Sequence, residues 1–408
     1  MASRRRVRRG LGRAMAVARA VAVGSLLALA AVSPSMPGLA APLKTPRAAP
    51  ALSAQPLAQP LPSWREGPTK ARILAFIASV SREGDAAYVP PAERIAVFDN
   101  DGTLWSEQPM YVQLAFAIER ARALVAQQPE LAANPVLAAA AAAGNGEAVL
   151  TMGTKGLLEL VTITHAGMST EVFRDLVREW LDGACHPTWK RPYTALTYQP
   201  MRELLDHMRA NGFRTYIVSG GGVEFMRVFA EEVYGVPPEQ VIGSTVGTQF
   251  SRRAGRPVIL RKPELQVVND QAIKPVMIEQ VIGRRPIAAF GNSDGDFEML
   301  EWTTSQPGSR LGVIIHHDDP EREVAYDSPS AFGRLDRALR EAPRRGWSVV
   351  SMRDDWSQVF AAPAAPGDSA GAGGANRCAG GTGQLPEQPA VVPGEMPRVE
   401  EAPAGRQP

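Results

Sequence analysis

The spacing of apolar residues predicts helices first and then helices alternating with strands. Residues 73–80 carry their apolar side chains on one helical face, and Gly84 follows as a helix end. The short run 95–98 is continuously apolar, which is typical of a strand buried on both faces. From 106 to 190 the helical period predominates, most clearly over 173–181.

After residue 190, short apolar strands alternate with helices. The pattern predicts helices at 201–208, 223–232 and 275–282, with Pro275 at the start of the last. It predicts strands at 215–218, 241–242, 287–290 and 311–315, and a hairpin at 245–260. Buried strands that alternate with helices favour a parallel sheet with helices on both faces. We therefore expect an α/β fold with a Rossmann-like parallel sheet core and a helical insertion after its first strand.

Polar segments follow three of these predicted strands. They are DNDGT at 99–103, SGGG at 219–222 and GNSDGD at 291–296. Lys274 precedes the helix that leads into the strand at 287–290. Because ligands of open α/β sheets bind at the carboxyl ends of the strands, we expect these segments to form one site.

The residue types in these segments suit phosphoryl transfer. The Asp99 carboxylate can attack phosphorus and form an aspartyl-phosphate, while Asp101 exchanges protons with the leaving group and with water. Clustered carboxylates require a cation, and their hard oxygen ligands suit Mg²⁺. The Ser219 hydroxyl, the backbone N–H groups of the glycine run beginning at Gly220, and Lys274 can hold phosphate oxygens.

In their order along the chain, these segments resemble the motifs of the haloacid dehalogenase-like superfamily, and within it phosphatases of the phosphoserine phosphatase type. The resemblance covers about residues 93–320. It implies that Asp99 is the nucleophile and a metal ligand, and that Asp101 is the general acid/base and binds the metal through its backbone carbonyl. It implies phosphate-binding roles for Ser219 and Lys274. The insertion, 106–190, would be the α-helical cap that selects the substrate.

One position departs from the pattern of the related phosphatases. They usually carry a metal-ligating Asp after the glycine of the fourth motif, and this chain has Asn292. An amide oxygen can ligate without contributing charge, so we expect weaker Mg²⁺ binding. We assign Asp296 to the metal site together with Asp99, Asp101 and Asn292, and leave the participation of Asp294 open. Glu107 is a candidate for the substrate pocket.

The two ends of the chain are predicted to lie outside the folded region. Residues 1–41 run basic, apolar and then small, which is typical of a secretory signal peptide, and 3–7 loosely resemble a twin-arginine signal. We expect export to the periplasm or the medium. Residues 42–62 read as a Pro/Ala-rich linker and 362–408 as a disordered tail. The core would then comprise 63–105 and 191–361.

Net charge and hydropathy restrict the kinds of partner that we expect for this protein. The net charge of +2 indicates neither a nucleic-acid-binding protein nor a basic membrane-binding protein. Outside the predicted signal no apolar run approaches membrane length, so we expect no stable insertion into a membrane after signal cleavage.

The cysteines and adjacent histidines give little indication of a cross-link or a metal site. With Cys378 in the predicted tail, we expect no disulfide to Cys185. His316 and His317 are neighbours on a strand and face opposite sides, which disfavours a shared metal ion. The oligomeric state stays open.

The favoured function is an exported, Mg²⁺-dependent hydrolase of small phosphomonoesters. A phosphotransferase that uses the same aspartyl-phosphate is one alternative. A catalytically weak protein that binds a phosphorylated ligand is another, which only Asn292 favours. A dehalogenase is disfavoured, because halide leaves without a proton and Asp101 would have no role.

Overall fold

A mainly parallel sheet forms the centre of the protein in the computed structural model, which describes residues 59–142, 151, 153–362 and 378. Its strands are β1 (Ile95–Phe98), β2 (Arg214–Gly222), β3 (Val241–Arg253), β4 (Arg256–Val267), β5 (Ala288–Gly291), β6 (Leu311–His316) and β7 (Ser348–Ser351). The seven strands follow the order β4-β3-β2-β1-β5-β6-β7. All neighbours pair in parallel except β3 and β4, which form an antiparallel hairpin. The predicted α/β class is confirmed.

Helices precede, separate and follow these strands. They are α1 (Pro68–Ser81), α2 (Val112–Gln127), α3 (Pro135–Ala142), α4 (Gly153–His165), α5 (Thr170–Gly183), α6 (Gln199–Ala210), α7 (Val223–Met226), α8 (Ala230–Tyr234), α9 (Ile273–Ile282), α10 (Phe297–Thr304), α11 (Arg337–Arg345) and α12 (Met352–Asp355). Helices α2 to α5 lie between β1 and β2, within the segment predicted as the insertion. Side chains of α2, α3 and α4 share an apolar cluster that includes Leu124, Leu137 and Leu160.

Alternating side chains of β1 point to opposite faces of the sheet. Ala96 and Phe98 belong to the apolar cluster that contains residues of α1 and α6, whereas Ile95 and Val97 belong to the cluster that contains residues of α9, α10 and α11. Helices therefore cover both faces, as the continuously apolar strands predict. Since β1 is central and its neighbours β2 and β5 come from different parts of the chain, the carboxyl end of β1 opens into the crevice where such folds bind ligands.

Several elements differ from their sequence-based predictions. The helix expected at 223–232 is divided into α7 and α8, and α9 begins at Ile273, two residues before Pro275. The predicted strand 241–242 and hairpin 245–260 form one continuous long pair, β3 and β4. Strand β7 is not predicted from the sequence, because its four residues include a serine at each end and only half of them are buried.

The expectation of no disulfide is wrong, because Cys185 and Cys378 are bonded with their Cα atoms 5.7 Å apart. The predicted signal peptide, most of the predicted linker and, apart from Ala362 and Cys378, the predicted tail lie outside the described residues. Within the described ranges, none of the helices has the length and apolar character needed to cross a membrane.

Candidate active site

The turn after β1 places Asp99 and Asp101 at the carboxyl end of the central strand. The Asp99 backbone N–H donates to Phe290 O of β5 at 2.9 Å, which continues the strand pairing up to the first carboxylate. Gly102 has φ +73°, and a Cβ there would lie 2.0 Å from Asn292 Nδ2 and 2.4 Å from Glu107 Oε1. Only glycine fits this turn, because both the backbone angle and the close approach exclude a side chain.

Lys274, in the first turn of α9, joins two carboxylates. Its Nζ donates to Asp99 Oδ1 at 2.9 Å and to Asp296 Oδ1 at 2.6 Å. The Lys274 side chain is 2% exposed, so these charge-assisted bonds are shielded from water. Burial alone would lower the pKa of Lys274, but Asp296 and Asp99 raise it above its ordinary value. The lysine is therefore a fixed positive charge beside the expected nucleophile.

Asp296, which the sequence predicts as a metal ligand, accepts hydrogen bonds on both carboxylate oxygens. Its Oδ1 accepts from Lys274, and its Oδ2 accepts from Asn292 N and Ser293 N at 3.0 and 3.1 Å. The side chain is fully buried and does not line the crevice. With both oxygens engaged, Asp296 holds the lysine and closes the turn after β5.

Asp294 also serves the fold. Its carboxylate accepts from the backbone N–H groups of Asp336, Arg337 and Ala338 at 2.8 to 3.2 Å. These donors belong to the start of α11, where orphan N–H groups need acceptors and an acid complements the helix dipole. Asp294 therefore caps α11, and it does not line the crevice that contains Asp99.

The glycine-rich segment lies at a register shift near the end of β2, between Val218 and Gly222. The Ser219 hydroxyl is buried and accepts from the Gly221 N–H at 3.1 Å. The Gly222 N–H donates to Gln113 Oε1 of α2 at 2.7 Å, so the insertion contacts this segment directly. Ser219 and Gly220 line the same crevice as Asp99, in agreement with their predicted neighbourhood.

Glu107 and Asn292 form a buried pair beside the turn. Asn292 Nδ2 donates to Glu107 Oε1 at 2.7 Å, and the Tyr326 hydroxyl donates to the same oxygen at 2.6 Å. The Thr103 hydroxyl donates to Asn292 Oδ1 at 3.1 Å. The Glu107 carboxylate thus fixes which end of the Asn292 amide is oxygen. Glu107 is thus a third acid near the turn at Asp99 and Asp101. The segment 291–296 itself contributes an amide at this point, that of Asn292.

His317 supports the turn from behind, a role that the sequence did not suggest. Its Nε2 lies 2.7 Å from Gly102 O, and its Nδ1 lies 3.3 Å from Glu323 Oε2. Nε2 donates, because the carbonyl can only accept. Glu323 also accepts from the Ser106 and Tyr198 hydroxyls. The sequence suggests the adjacent His316 and His317 only as a metal pair, which their opposite orientations disfavour, and it contains no signal for this supporting role.

A crevice of about 240 Å³ joins these groups. Its lining residues come from the strand ends, the insertion and the segment before α9, and they are Asp99, Asp101, Glu107, Tyr111, Gln113, Leu114, Leu157, Leu158, Val161, Ser219, Gly220, Gly221, Val268, Asp270, Lys274 and Ser293. Four of them are carboxylates and one is a cation. Burial, followed by the charge of Asp296, raises the pKa of Asp99 to about 8, and burial also raises the pKa of Asp101 and of Glu107.

The donor set fits Mg²⁺. Mg²⁺ is usually held by one or two carboxylates, with waters and substrate phosphates completing the octahedron. Asp99 and Asp101 supply two carboxylates in a crevice whose acids outnumber its single lysine. No group of three or more His, Cys, Asp or Glu side chains arranged to hold a metal occurs in the part of the chain described. A bound ion would therefore rely on oxygens of other kinds as well, such as the Asn292 amide oxygen and the Asp101 carbonyl.

Comparison with known proteins agrees with this geometry. The model of the family described as haloacid dehalogenase-like hydrolase matches residues 96–301, which run from β1 into α10. None of the curated proteins compared with the chain matches it.

The solved structures that match this chain have low sequence identity to it. A conserved protein of unknown function from Anaerococcus prevotii is 19% identical, with 69% of this chain and 91% of that chain covered and a TM-score of 0.45. A protein of unknown function from Bordetella pertussis is 18% identical, with coverages of 63% and 98% and a TM-score of 0.40. A phosphoserine phosphohydrolase-like protein from Francisella tularensis is 16% identical, with coverages of 62% and 98% and a TM-score of 0.32.

The family model spans half of the chain and contains the strand-end segments that form the crevice. The fold and the arrangement of Asp99, Asp101, Ser219 and Lys274 at one sheet edge agree with it. The chain belongs to the haloacid dehalogenase-like hydrolases.

Proposed function

We propose that the protein is a Mg²⁺-dependent phosphomonoester hydrolase with Asp99 as its nucleophile. One observation carries the proposal: Asp99 lines the crevice, one of its oxygens is held by the buried Lys274, and Asp101 lines the same crevice two residues further on. This arrangement supplies a fixed nucleophile, an adjacent acid and a positive charge for phosphate.

The proposed reaction has two displacements at phosphorus. In the first, an Asp99 oxygen bonds to phosphorus, the bond from phosphorus to the ester oxygen breaks, and Asp101 gives that oxygen its proton. In the second, Asp101 takes a proton from water, the water oxygen bonds to phosphorus, and the Asp99–phosphorus bond breaks to release inorganic phosphate. Lys274 and the backbone near Ser219 would bind the phosphoryl oxygens throughout.

Mg²⁺ held by Asp99, Asp101 and Asn292 would neutralise phosphate charge as the anionic carboxylate approaches. Trp105 Nε1 donates to Asp101 Oδ1 at 2.8 Å, which restricts the rotation of the proposed acid. The nearby Gly102 carbonyl is held by His317, so the backbone of the turn is also fixed.

Asn292 favours a second candidate, a phospho-ligand-binding protein with weak catalysis, since an amide brings no charge to a metal. The two candidates differ in turnover. Release of inorganic phosphate by residues 42–408 would be measured over a panel of phosphomonoesters, with and without Mg²⁺. We expect Mg²⁺-dependent release that Asp99→Asn abolishes and that Asp206→Asn, an exposed surface control, leaves unchanged. Binding without release would instead favour the second candidate.

We also propose that the protein is exported. The order of basic, apolar and small residues in 1–41 supports this, as does the Cys185–Cys378 disulfide, because disulfides persist mainly in oxidising compartments. Expression with the native N-terminus should give a periplasmic or secreted protein that has lost these residues. A cytoplasmic protein with an intact N-terminus would contradict the proposal.

A further inference from the structure

We infer that the preferred substrates are phosphomonoesters with a compact, apolar leaving group that carries no anionic substituent. The inference rests on the proposed function and concerns the part of the crevice that the insertion lines. It combines the apolar side chains of the insertion with the charges of the remaining lining residues.

The insertion contributes an apolar wall to the crevice. Leu157, Leu158 and Val161 of α4 line it together with Leu114 of α2, and Tyr111 adds an aromatic ring just before α2. The three α4 residues are spaced so that they share one side of that helix. Leu160, on another side, is fully buried in the cluster between α2, α3 and α4.

Leu157, Leu158 and Val161 are half-buried and available to a ligand, whereas Leu160 packs within the fold. At about 240 Å³, the crevice is also smaller than most drug-sized ligand pockets, which indicates a compact substrate.

The charges of the lining disfavour a second anionic group. Lys274 is the one basic side chain among the described residues that line the crevice, and its Nζ is bound by Asp99 and Asp296. Besides Lys274, Asp99 and Asp101, the charged residues of the lining are Glu107 and Asp270. A carboxylate or second phosphate on the leaving group would lose its water, face these acids and gain no cationic partner.

Two buried arginines nearby in the fold do not change this balance. Arg120 donates to Thr164 O, and Arg261 donates to His165 O and pairs with Glu224. Neither lines the crevice. Their observed contacts therefore link the end of α4 to α2 and to the adjoining hairpin, and neither guanidinium faces a substrate in the crevice.

The test compares 4-methylphenyl phosphate with 4-carboxyphenyl phosphate, whose leaving phenols are similar in size. The carboxylate makes its phenol the better leaving group, so leaving-group chemistry alone would favour the carboxy compound. We expect kcat/KM at least about tenfold higher for the methyl compound, because the carboxylate is desolvated without a partner. Leu158→Arg should narrow that ratio by placing a cation on the wall. Val172→Arg on α5, outside the crevice, is the matched control and should leave the ratio unchanged. Val161→Lys replaces Leu158→Arg if the latter fails to fold.

The outcomes separate this inference from the proposed function. The inference would be overturned by equal kcat/KM values, by a preference for the carboxylate, or by turnover restricted to anionic substrates such as phosphoserine. In each of these cases the protein would still be a phosphohydrolase, so the proposed function would stand. An unchanged ratio in both wall variants would also overturn it. No phosphate release from any phosphomonoester would overturn the proposed function, and the inference with it.

Discussion

Replacing Asn292 with the aspartate that related phosphatases carry should destabilise this protein when Mg²⁺ is absent. In the structure, Asn292 Nδ2 donates to Glu107 Oε1 at 2.7 Å. Asn292→Asp replaces that donor with a carboxylate oxygen directed at another carboxylate. The substitution that restores the family pattern therefore creates a repulsive contact inside the protein.

The expected cost follows from two quantities. A hydrogen bond to a charged group contributes about 1.5–3 kcal/mol. Two full charges at the observed separation, with an effective dielectric constant near 20, would repel by about 6 kcal/mol, an upper bound because the pair can share a proton. Burial already raises the pKa of Glu107 well above its ordinary value. We expect Asn292→Asp to lower the free energy of unfolding by about 2–5 kcal/mol at pH 8.

The pH dependence has a defined sign. A carboxylate pair with a raised pKa in the folded state binds more protons folded than unfolded. Stability is therefore greater below that pKa and decreases as the pH rises through it. The destabilisation caused by Asn292→Asp should consequently be smaller at pH 6 than at pH 8.

Urea unfolding with a chelator would compare the wild type, Asn292→Asp, Glu107→Gln and the double variant. The double variant exchanges the amide and the acid, so it should recover most of the loss. Added Mg²⁺ should stabilise Asn292→Asp more than the wild type, since the ion offsets the added charge. The reasoning is refuted if Asn292→Asp at pH 8 lies within about 0.5 kcal/mol of the wild type, or if the double variant is no more stable than Asn292→Asp.

Three further predictions follow from other buried contacts. Lys274→Met should lower the free energy of urea unfolding by about 3–5 kcal/mol, because it leaves two buried carboxylates unpaired; a loss below about 1 kcal/mol would contradict this. Glu119 accepts a hydrogen bond from Trp180 Nε1, and burial raises the pKa of Glu119. The free energy of unfolding of the wild type should therefore decline as the pH rises above 4.5. The same pH dependence of this free energy in the wild type and in Glu119→Gln would contradict the prediction. His317→Ala should lower kcat by about tenfold or more by releasing the Gly102 carbonyl, and His317→Gln, which keeps a donor, should recover part of it; equal kcat values in the two variants would count against this role.

The convergence at the sheet edge was predictable because it depends on topology. Continuously apolar strands that alternate with helices predict a parallel sheet, and the carboxyl ends of its strands meet at one edge. The segments around Asp99, Ser219 and Lys274 could therefore be placed together without knowledge of any contact.

The individual roles of the remaining acids depend on contacts between distant parts of the chain. Asp294 and Asp296 are two residues apart in one loop, yet one caps α11 and the other holds Lys274. Glu107 meets Asn292 across 185 residues. No local pattern encodes these pairings. The Cys185–Cys378 bond was missed for a related reason, because the composition around Cys378 predicts disorder and says nothing about a covalent partner.

The most direct test of the central claim is detection of a covalent phosphoryl group on Asp99. The protein would be mixed with Mg²⁺ and a phosphomonoester that it hydrolyses, quenched in acid and reduced with borohydride, which converts an aspartyl-phosphate to homoserine. Mass spectrometry of the peptide containing residues 95–105 would then locate the change. We predict homoserine at position 99 and none in Asp99→Asn. Turnover with an unmodified Asp99, or modification at Asp101 instead, would contradict the account.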